Sequence, residues 1–131
     1  SSGTVFVSVN NSDKLEILNI ARDFSELGFN LIGTEGTANI LNKNGLPARQ
    51  VFKAGEGRPN IVDEIKNKKI SLVINTPMGS RSRYDEQEIG RSCIKYGILA
   101  VTTLSGANAV LRAIRSSSES KKVQSLQEYY S

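Results

Sequence analysis

Residues 71–75 read Ser-Leu-Val-Ile-Asn, and residues 76–83, TPMGSRSR, follow them directly. Three consecutive apolar side chains without polar alternation predict a strand that is buried on both faces. The polar stretch that follows, with its proline and glycine, predicts a loop. Strands of this kind belong to parallel sheets that helices cover on both faces, so this run indicates an α/β fold.

Strand-like and helix-like segments alternate outward from this run in both directions. Ser12 is predicted to cap the first helix, Pro59 to occupy the first position of a later helix, and Ser105 to cap a last helix reaching about Arg115. A serine-rich hinge is predicted at 116–120. The other predicted strands are 4–9, 29–33, 50–52 and 98–102.

This alternation predicts the fold class. Strands joined through helices form a parallel sheet, here five-stranded, with helices on both faces in a Rossmann-like three-layer sandwich. The chain of 131 residues suits one domain, at 4–116, with 117–131 as a C-terminal tail of the same domain. Residues 1–3, Ser-Ser-Gly, have the look of a cloning remnant.

Composition excludes several kinds of chemistry. The chain has no histidine and one cysteine, Cys93, which rules out a Ser-His-Asp triad, a Cys-His pair and histidine or thiolate metal sites. One cysteine cannot form an internal disulfide, which favours a cytoplasmic location. No apolar run approaches the roughly 20 residues that span a membrane. The net charge of +4 is scattered, which indicates a small anionic ligand rather than nucleic acid.

One stretch is typical of phosphate binding. Residues 33–37, Gly-Thr-Glu-Gly-Thr, stand where a predicted strand passes into a helix. A helix N-terminus with free N–H donors favours a phosphate, although the stretch alone is equally typical of an ordinary capped turn. Parallel strands bring their carboxyl ends to one edge, where lysines following two other strands add positive charge. The candidate phosphate-binding residues are Lys14, Thr34, Gly36, Thr37 and Lys53.

Two further polar residues end the strand at 71–75. Asn75 and Thr76 offer one amide and one hydroxyl, which suit ribose hydroxyls or the edge of a base. The alternative role for both is to cap a turn or helix. No catalytic residue and no metal ligand is predicted in the chain.

Four segments together resemble a known family. LIGTEGTANIL, VFKAGEGRPNIVDEIKN, LVINTPMG and SLQE are similar to the C-terminal regulatory domain of bacterial-type carbamoyl-phosphate synthase large chains, a methylglyoxal-synthase-like domain. The resemblance implies an allosteric module for a nucleoside monophosphate, UMP or IMP, and no cofactor of its own. It implies a larger parent chain that uses ATP with Mg or Mn, works with a small glutaminase subunit, and makes carbamoyl phosphate for pyrimidine and arginine synthesis.

The resemblance also assigns residue roles and shows two departures. It implies that Lys14, Thr34, Thr37 and Lys53 hold the phosphate and that Asn75 serves the ribose. Pro77 stands where some members have a polar residue, so that contact is either lost or taken over by Thr76. Ala100 and Val101 stand where some members have a tyrosine and an aspartate for ornithine, so ornithine control is not expected.

Three alternatives stay open at this point. A methylglyoxal synthase-type lyase would bind phosphate in the same place, but the family's histidines are missing and Arg58 stands near its aspartate base. The cyclohydrolase half of the bifunctional purine-biosynthetic enzyme shares the fold but expects a lysine- and histidine-rich segment. A freestanding nucleotide sensor is the third alternative.

Overall fold

The computed structural model describes residues 3–53, 55–77 and 83–130, and the side chains of 3–53, 55–77 and 86–117. Within these ranges, strands and helices alternate along the chain. The strands are β1 Thr4–Ser8, β2 Asn30–Gly33, β3 Ala48–Gln50, β4 Leu72–Asn75 and β5 Leu99–Val101. The helices are α1 Lys14–Glu26, α2 Glu35–Lys43, α3 Ile61–Lys66, α4 Arg83–Tyr96 and α5 Leu104–Tyr130, and a short 3₁₀ turn, Asn11–Asp13, precedes α1.

The five strands form one parallel sheet in the order β3-β2-β1-β4-β5. Alternate side chains of the central strand β1 enter two separate cores. Val5 and Val7 pack with α1, α2 and α5 on one face. Phe6 packs with α3 and α4 on the other. This arrangement confirms the predicted three-layer α/β fold.

The helix caps differ from the predicted ones near the sheet edge that carries the loops. The Asn10 side chain, not Ser12, accepts a hydrogen bond from the Asp13 N–H at 3.0 Å, and the Ser12 hydroxyl donates to Asn10 instead. In α5 the Gly106 N–H donates to the Thr103 hydroxyl at 2.9 Å, so Thr103 takes the predicted place of Ser105. Asn10 thus caps the 3₁₀ turn that leads into α1, whose own N-cap, Asp13, makes no side-chain capping bond, and Thr103 caps α5.

The prediction for Pro59 was also wrong. Pro59 follows a cis peptide bond and precedes the N-cap of α3, which is Asn60. Asn60 and Asp63 form a capping box, with reciprocal bonds of 3.0 and 3.1 Å between side chain and backbone N–H. The box satisfies two N–H groups at the start of α3, which fixes the loop that precedes it.

Two other predictions are corrected. The third strand is Ala48–Gln50 rather than 50–52, and Phe52 makes only an isolated bridge with Asn60. Residues 48–50 are polar or small on an exposed edge, so they carry no apolar strand signal. The predicted hinge at 116–120 is helical, because serine lowers helix stability only modestly and this stretch contains neither glycine nor proline.

Candidate functional site

A pocket of about 470 Å³ lies at the carboxyl ends of three adjacent strands, β1, β2 and β3. Its size falls within the usual range for small-molecule sites, roughly 300–1,000 Å³. The five candidate phosphate-binding residues all line it, although they come from three separate loops. The full lining is Val9, Lys14, Thr34, Glu35, Gly36, Thr37, Gln50, Val51, Phe52, Lys53 and Glu56.

The N-terminus of α2 opens into this pocket. Thr34 is the N-cap in extended conformation, and its side chain makes no capping hydrogen bond to the helix. The first intrahelical bond runs from the Ala38 N–H to the Thr34 carbonyl at 2.7 Å. The N–H groups of the first turn, 35–37, therefore have no intrahelical partner, and with the helix dipole they favour an anion.

The Lys14 ammonium lies directly over this helix end. A Cβ built on Gly36 would stand only 2.9 Å from Lys14 Nζ, closer than real contacts of a Cβ allow. The absence of a side chain at position 36 is thus what lets the ammonium approach the first turn of α2. A lysine and free N–H donors on the same small volume are a suitable arrangement for a phosphate.

The two threonine hydroxyls are buried and already form internal hydrogen bonds. The Thr37 hydroxyl oxygen accepts from the Val9 N–H at 3.3 Å, which leaves its own proton for another acceptor. The Thr34 hydroxyl pairs with the Ser8 hydroxyl at 3.2 Å, and such a pair uses one of its two protons. Both threonines therefore tie the helix end to β1; Thr37 keeps its own O–H for a ligand, whereas Thr34 donates to Ser8 and would have to accept from it instead to donate to a ligand.

Lys53 and Glu56 hold the loop after β3. The Lys53 N–H donates to the Glu56 carboxylate at 3.0 Å, and the Glu56 N–H donates to the Lys53 carbonyl at 3.1 Å. Glu56 and Arg58 are near enough in the sequence to suggest an ion pair within this loop, but Arg58 bonds to Asp63 instead, at 3.4 Å. Glu56 thus shapes the backbone that presents the Lys53 side chain.

The pocket also contains negative charge. Glu35 and Glu56 line it beside Lys14 and Lys53. Both glutamates are exposed, so water screens their repulsion of an anion, and the Glu56 carboxylate is also neutralised in part by the Lys53 N–H. The attraction for an anion therefore depends on the two ammonium groups together with the N–H donors of α2.

Asn75 and Thr76 lie outside this pocket. Thr76 is 1% exposed, and its hydroxyl accepts from the Asn10 N–H at 2.9 Å, while Asn75 is 9% exposed. The Asn10 side chain also donates to the Pro77 carbonyl at 3.0 Å. Asn10 thus bridges the strand ends of β1 and β4, on the side of β1 away from the pocket.

Sequence reasoning missed Phe52 and Gln50 as pocket residues. Both precede Lys53 in a segment with a weak strand signal, and nothing in the residue types indicated that they face the pocket. The sequence also offers Arg81, Arg83 and Arg91 as further positive charge, and of these Arg91 pairs with Glu88 at 3.3 Å. The side chains of Arg81 and Arg83 are outside the described residues.

Within the described ranges, the structure supports neither a metal-ion site nor a membrane-spanning helix. There, no group of three or more histidine, cysteine or acidic residues is arranged to hold a metal ion. Among the helices of that part of the chain, none is both long and apolar enough to cross a membrane.

Comparison with known families identifies the domain. The family model described as "MGS-like domain" matches residues 16–102. The chain belongs to this family. The solved structure of methylglyoxal synthase from Elizabethkingia anophelis superposes on it with a TM-score of 0.65 at 16% identity, over 84% of this chain and 77% of that one. This MGS-like domain therefore shares the fold of that enzyme.

Curated relatives of this MGS-like domain are carbamoyl phosphate synthase large chains. The protein from Archaeoglobus fulgidus is 46% identical over 98% of this chain, and the one from Nostoc sp. is 43% identical over the same share. The chain spans 12% of the length of each. It is also 43% identical to the large chain "C-terminal section" of Aquifex aeolicus, of which it covers 25%.

Proposed function

We propose that this chain is the allosteric regulatory domain of a carbamoyl-phosphate synthase large chain and binds a nucleoside monophosphate, UMP or IMP. One observation carries the proposal: Lys14, the start of α2 and Lys53 come from three separate loops and line one pocket. Two ammonium groups and a free helix N-terminus suit a phosphate group. Similarity to the synthase large chains over almost the whole of this chain supports the choice of parent.

In this proposal the phosphate supplies most of the binding energy. It lies at the N–H groups of Gly36 and Thr37, between the ammonium groups of Lys14 and Lys53, with the Thr34 and Thr37 hydroxyls as further donors. Charge-assisted hydrogen bonds of this type contribute about 1.5–3 kcal/mol each. The resemblance suggests Asn75 and Thr76 as contacts of the nucleoside.

The domain would act on its parent at a distance. A nucleotide that binds one conformation more tightly than another shifts the equilibrium toward it by its difference in affinity. The parent would be a cytoplasmic ligase that makes carbamoyl phosphate from bicarbonate, ATP and ammonia, with Mg or Mn and a small glutaminase subunit. Its product would supply pyrimidine and arginine synthesis, and its catalytic groups would lie in the remainder of the large chain.

The shared fold makes a methylglyoxal synthase-type lyase the second candidate. Removing a proton beside a carbonyl requires a positioned base. Of the two carboxylates in the pocket, Glu56 is bonded to the Lys53 backbone and Glu35 is exposed at the start of α2. Neither carboxylate is therefore positioned as a base toward a substrate inside the pocket, so the lyase is the less favoured proposal. Formation of methylglyoxal from dihydroxyacetone phosphate in proportion to pure protein would establish it.

The test of the nucleotide proposal is the replacement Lys53→Ala. We expect it to abolish the thermal shift that UMP or IMP gives the wild-type chain at moderate concentration, without lowering the melting temperature of the free chain. The matched control is Lys43→Ala, which removes an exposed lysine from the far end of α2 and should leave the shift intact. A full shift in Lys53→Ala would place the phosphate elsewhere.

A further inference from the structure

The strand β3 forms one edge of the sheet, where outward backbone groups offer hydrogen bonds to any further strand. Along a strand, both backbone groups of one residue face one neighbour, and those of the next residue face the other way. The Val51 N–H donates to the Gly33 carbonyl at 2.8 Å, so the odd-numbered residues of this segment face β2. The N–H and C=O groups of Ala48, Gln50 and Phe52 therefore point away from the sheet.

The side chain of Asn42, near the end of α2, occupies both outward groups of Ala48. Its amide nitrogen donates to the Ala48 carbonyl at 2.9 Å, and its carbonyl oxygen accepts from the Ala48 N–H at 2.9 Å. A carboxamide carries the same kinds of donor and acceptor as a peptide group. Asn42 thus gives Ala48 the two hydrogen bonds that a residue of a further strand would give it.

The outward groups of Phe52 are occupied by the segment that precedes α3. The Phe52 N–H donates to the Pro59 carbonyl at 3.4 Å, and its carbonyl accepts from the Ile61 N–H at 2.9 Å. Between Ala48 and Phe52, the outward groups of Gln50 have no hydrogen-bond partner among the described residues. Two groups on one residue are too few to hold another strand, since even isolated two-stranded hairpins are marginal in water.

Proline and charge, two common protections of an edge strand, give little cover to Ala48. Pro47 stands at an odd-numbered position, so its missing N–H belongs to the side that faces β2. The Arg49 guanidinium is paired with the Glu64 carboxylate at 2.9 Å, which offsets its charge. The Arg49 side chain also leaves from a face of the sheet rather than from its edge. The cover of the outward groups of Ala48 therefore depends on Asn42.

We propose that Asn42 closes the outer edge of β3 against strand pairing with a second copy of this chain. Without Asn42, the outward groups of Ala48 and Gln50 are free on the same edge of each copy. Antiparallel pairing about a twofold axis then places Ala48 of one copy opposite Gln50 of the other, with four hydrogen bonds between the two strands. With Asn42 in place, the groups of Ala48 are already bonded and this pair does not form.

The experiment compares Asn42→Ala with Asn44→Ala. Asn44 is also exposed and donates its side chain to the Ile40 carbonyl at 2.8 Å, so its replacement removes a similar bond away from β3. We expect Asn42→Ala to speed hydrogen exchange of the Ala48 N–H by about 5- to 150-fold, as the loss of two hydrogen bonds predicts. It should also tighten self-association by at least about 10-fold, measured by sedimentation equilibrium. Asn44→Ala should do neither.

The salt concentration and two further variants define the surface that associates. Sedimentation is measured at raised salt, which screens the two Arg49 side chains that face each other in the symmetric pair. Gln50→Pro removes an outward N–H without removing a bond to β2, so Asn42→Ala/Gln50→Pro should associate no more than wild type. Asn42→Asp keeps an acceptor for the Ala48 N–H but has no donor for its carbonyl, and it should associate to an intermediate degree.

Several results would overturn the proposal. Unchanged exchange of the Ala48 N–H in Asn42→Ala would show that the Asn42 side chain does not cover the strand. Faster exchange with the sedimentation of wild type would show that the edge stays unpaired even when it is open. Association that persists in Asn42→Ala/Gln50→Pro, or that is equally strong in Asn44→Ala, would assign it to another surface.

Discussion

The clearest perturbation of the phosphate site is Gly36→Ala. The added Cβ would lie 2.9 Å from Lys14 Nζ and has only the side-chain end of Lys14 within 4 Å. The backbone can therefore stay in place while the ammonium must move away from the start of α2. Loss of one charge-assisted hydrogen bond of about 1.5–3 kcal/mol predicts about 10- to 150-fold weaker binding of UMP or IMP.

This substitution should leave the free chain as stable as before or more stable, because alanine is favoured over glycine in a helix by up to about 1 kcal/mol. Gly90→Ala is the matched control, since Gly90 lies within α4 and an added Cβ has nothing within 4 Å. It should raise stability without changing affinity. Calorimetry measures the affinities, and thermal unfolding measures stability.

A double-mutant cycle tests the mechanism. If Gly36→Ala acts only by displacing the Lys14 ammonium, adding it to Lys14→Ala should cause little further loss of affinity. Wild-type affinity in Gly36→Ala would refute the reasoning, because it would show that the ammonium contributes nothing from its position over the helix end.

Three further predictions concern the strand ends, the cysteine and ornithine. Asn10→Ala should lower the free energy of unfolding by about 1–3 kcal/mol, because it removes the side-chain bonds to the Asp13 N–H and to the Pro77 carbonyl. Chemical denaturation measures this loss. An unchanged midpoint would show that these two bonds do not stabilise the chain. Burial raises the pKa of the Cys93 thiol to about 11, so few molecules carry the thiolate at pH 8, and a thiol reagent should label Cys93 only as fast as the chain opens. Rapid labelling of the native chain would show that the thiol is accessible. Ornithine should give no heat of binding, since Ala100 and Val101 offer it no polar side chain; saturable binding would overturn this expectation.

The fold was predictable because apolar runs fix the strands. Residues 71–75 carry three apolar side chains in a row, and the observed strand, Leu72–Asn75, differs by one residue. Parallel connection then brings the loops after successive strands to one edge. For this reason Lys14, the 34–37 turn and Lys53 could be placed together although up to 39 positions separate them in the sequence.

The parts that failed depend on tertiary contacts that residue types do not reveal. Asn10 is one of several polar residues after β1, and its advantage over Ser12 comes from its side-chain bond to the Pro77 carbonyl, 67 residues away. The position of Phe52 depends on Gly57 beneath the ring. Neither contact has a local signal, because a cap and an exposed aromatic residue are common features of surface loops.

The central claim is that the pocket after β1, β2 and β3 binds a nucleoside monophosphate through its phosphate. The most direct measurement is calorimetric titration of the chain with UMP and IMP and with uridine and inosine, at low and raised salt. We predict that the monophosphates bind, that the nucleosides bind far more weakly, and that salt weakens only the monophosphates. Equal, salt-independent affinity for nucleoside and monophosphate, or no binding of either monophosphate, would contradict the account.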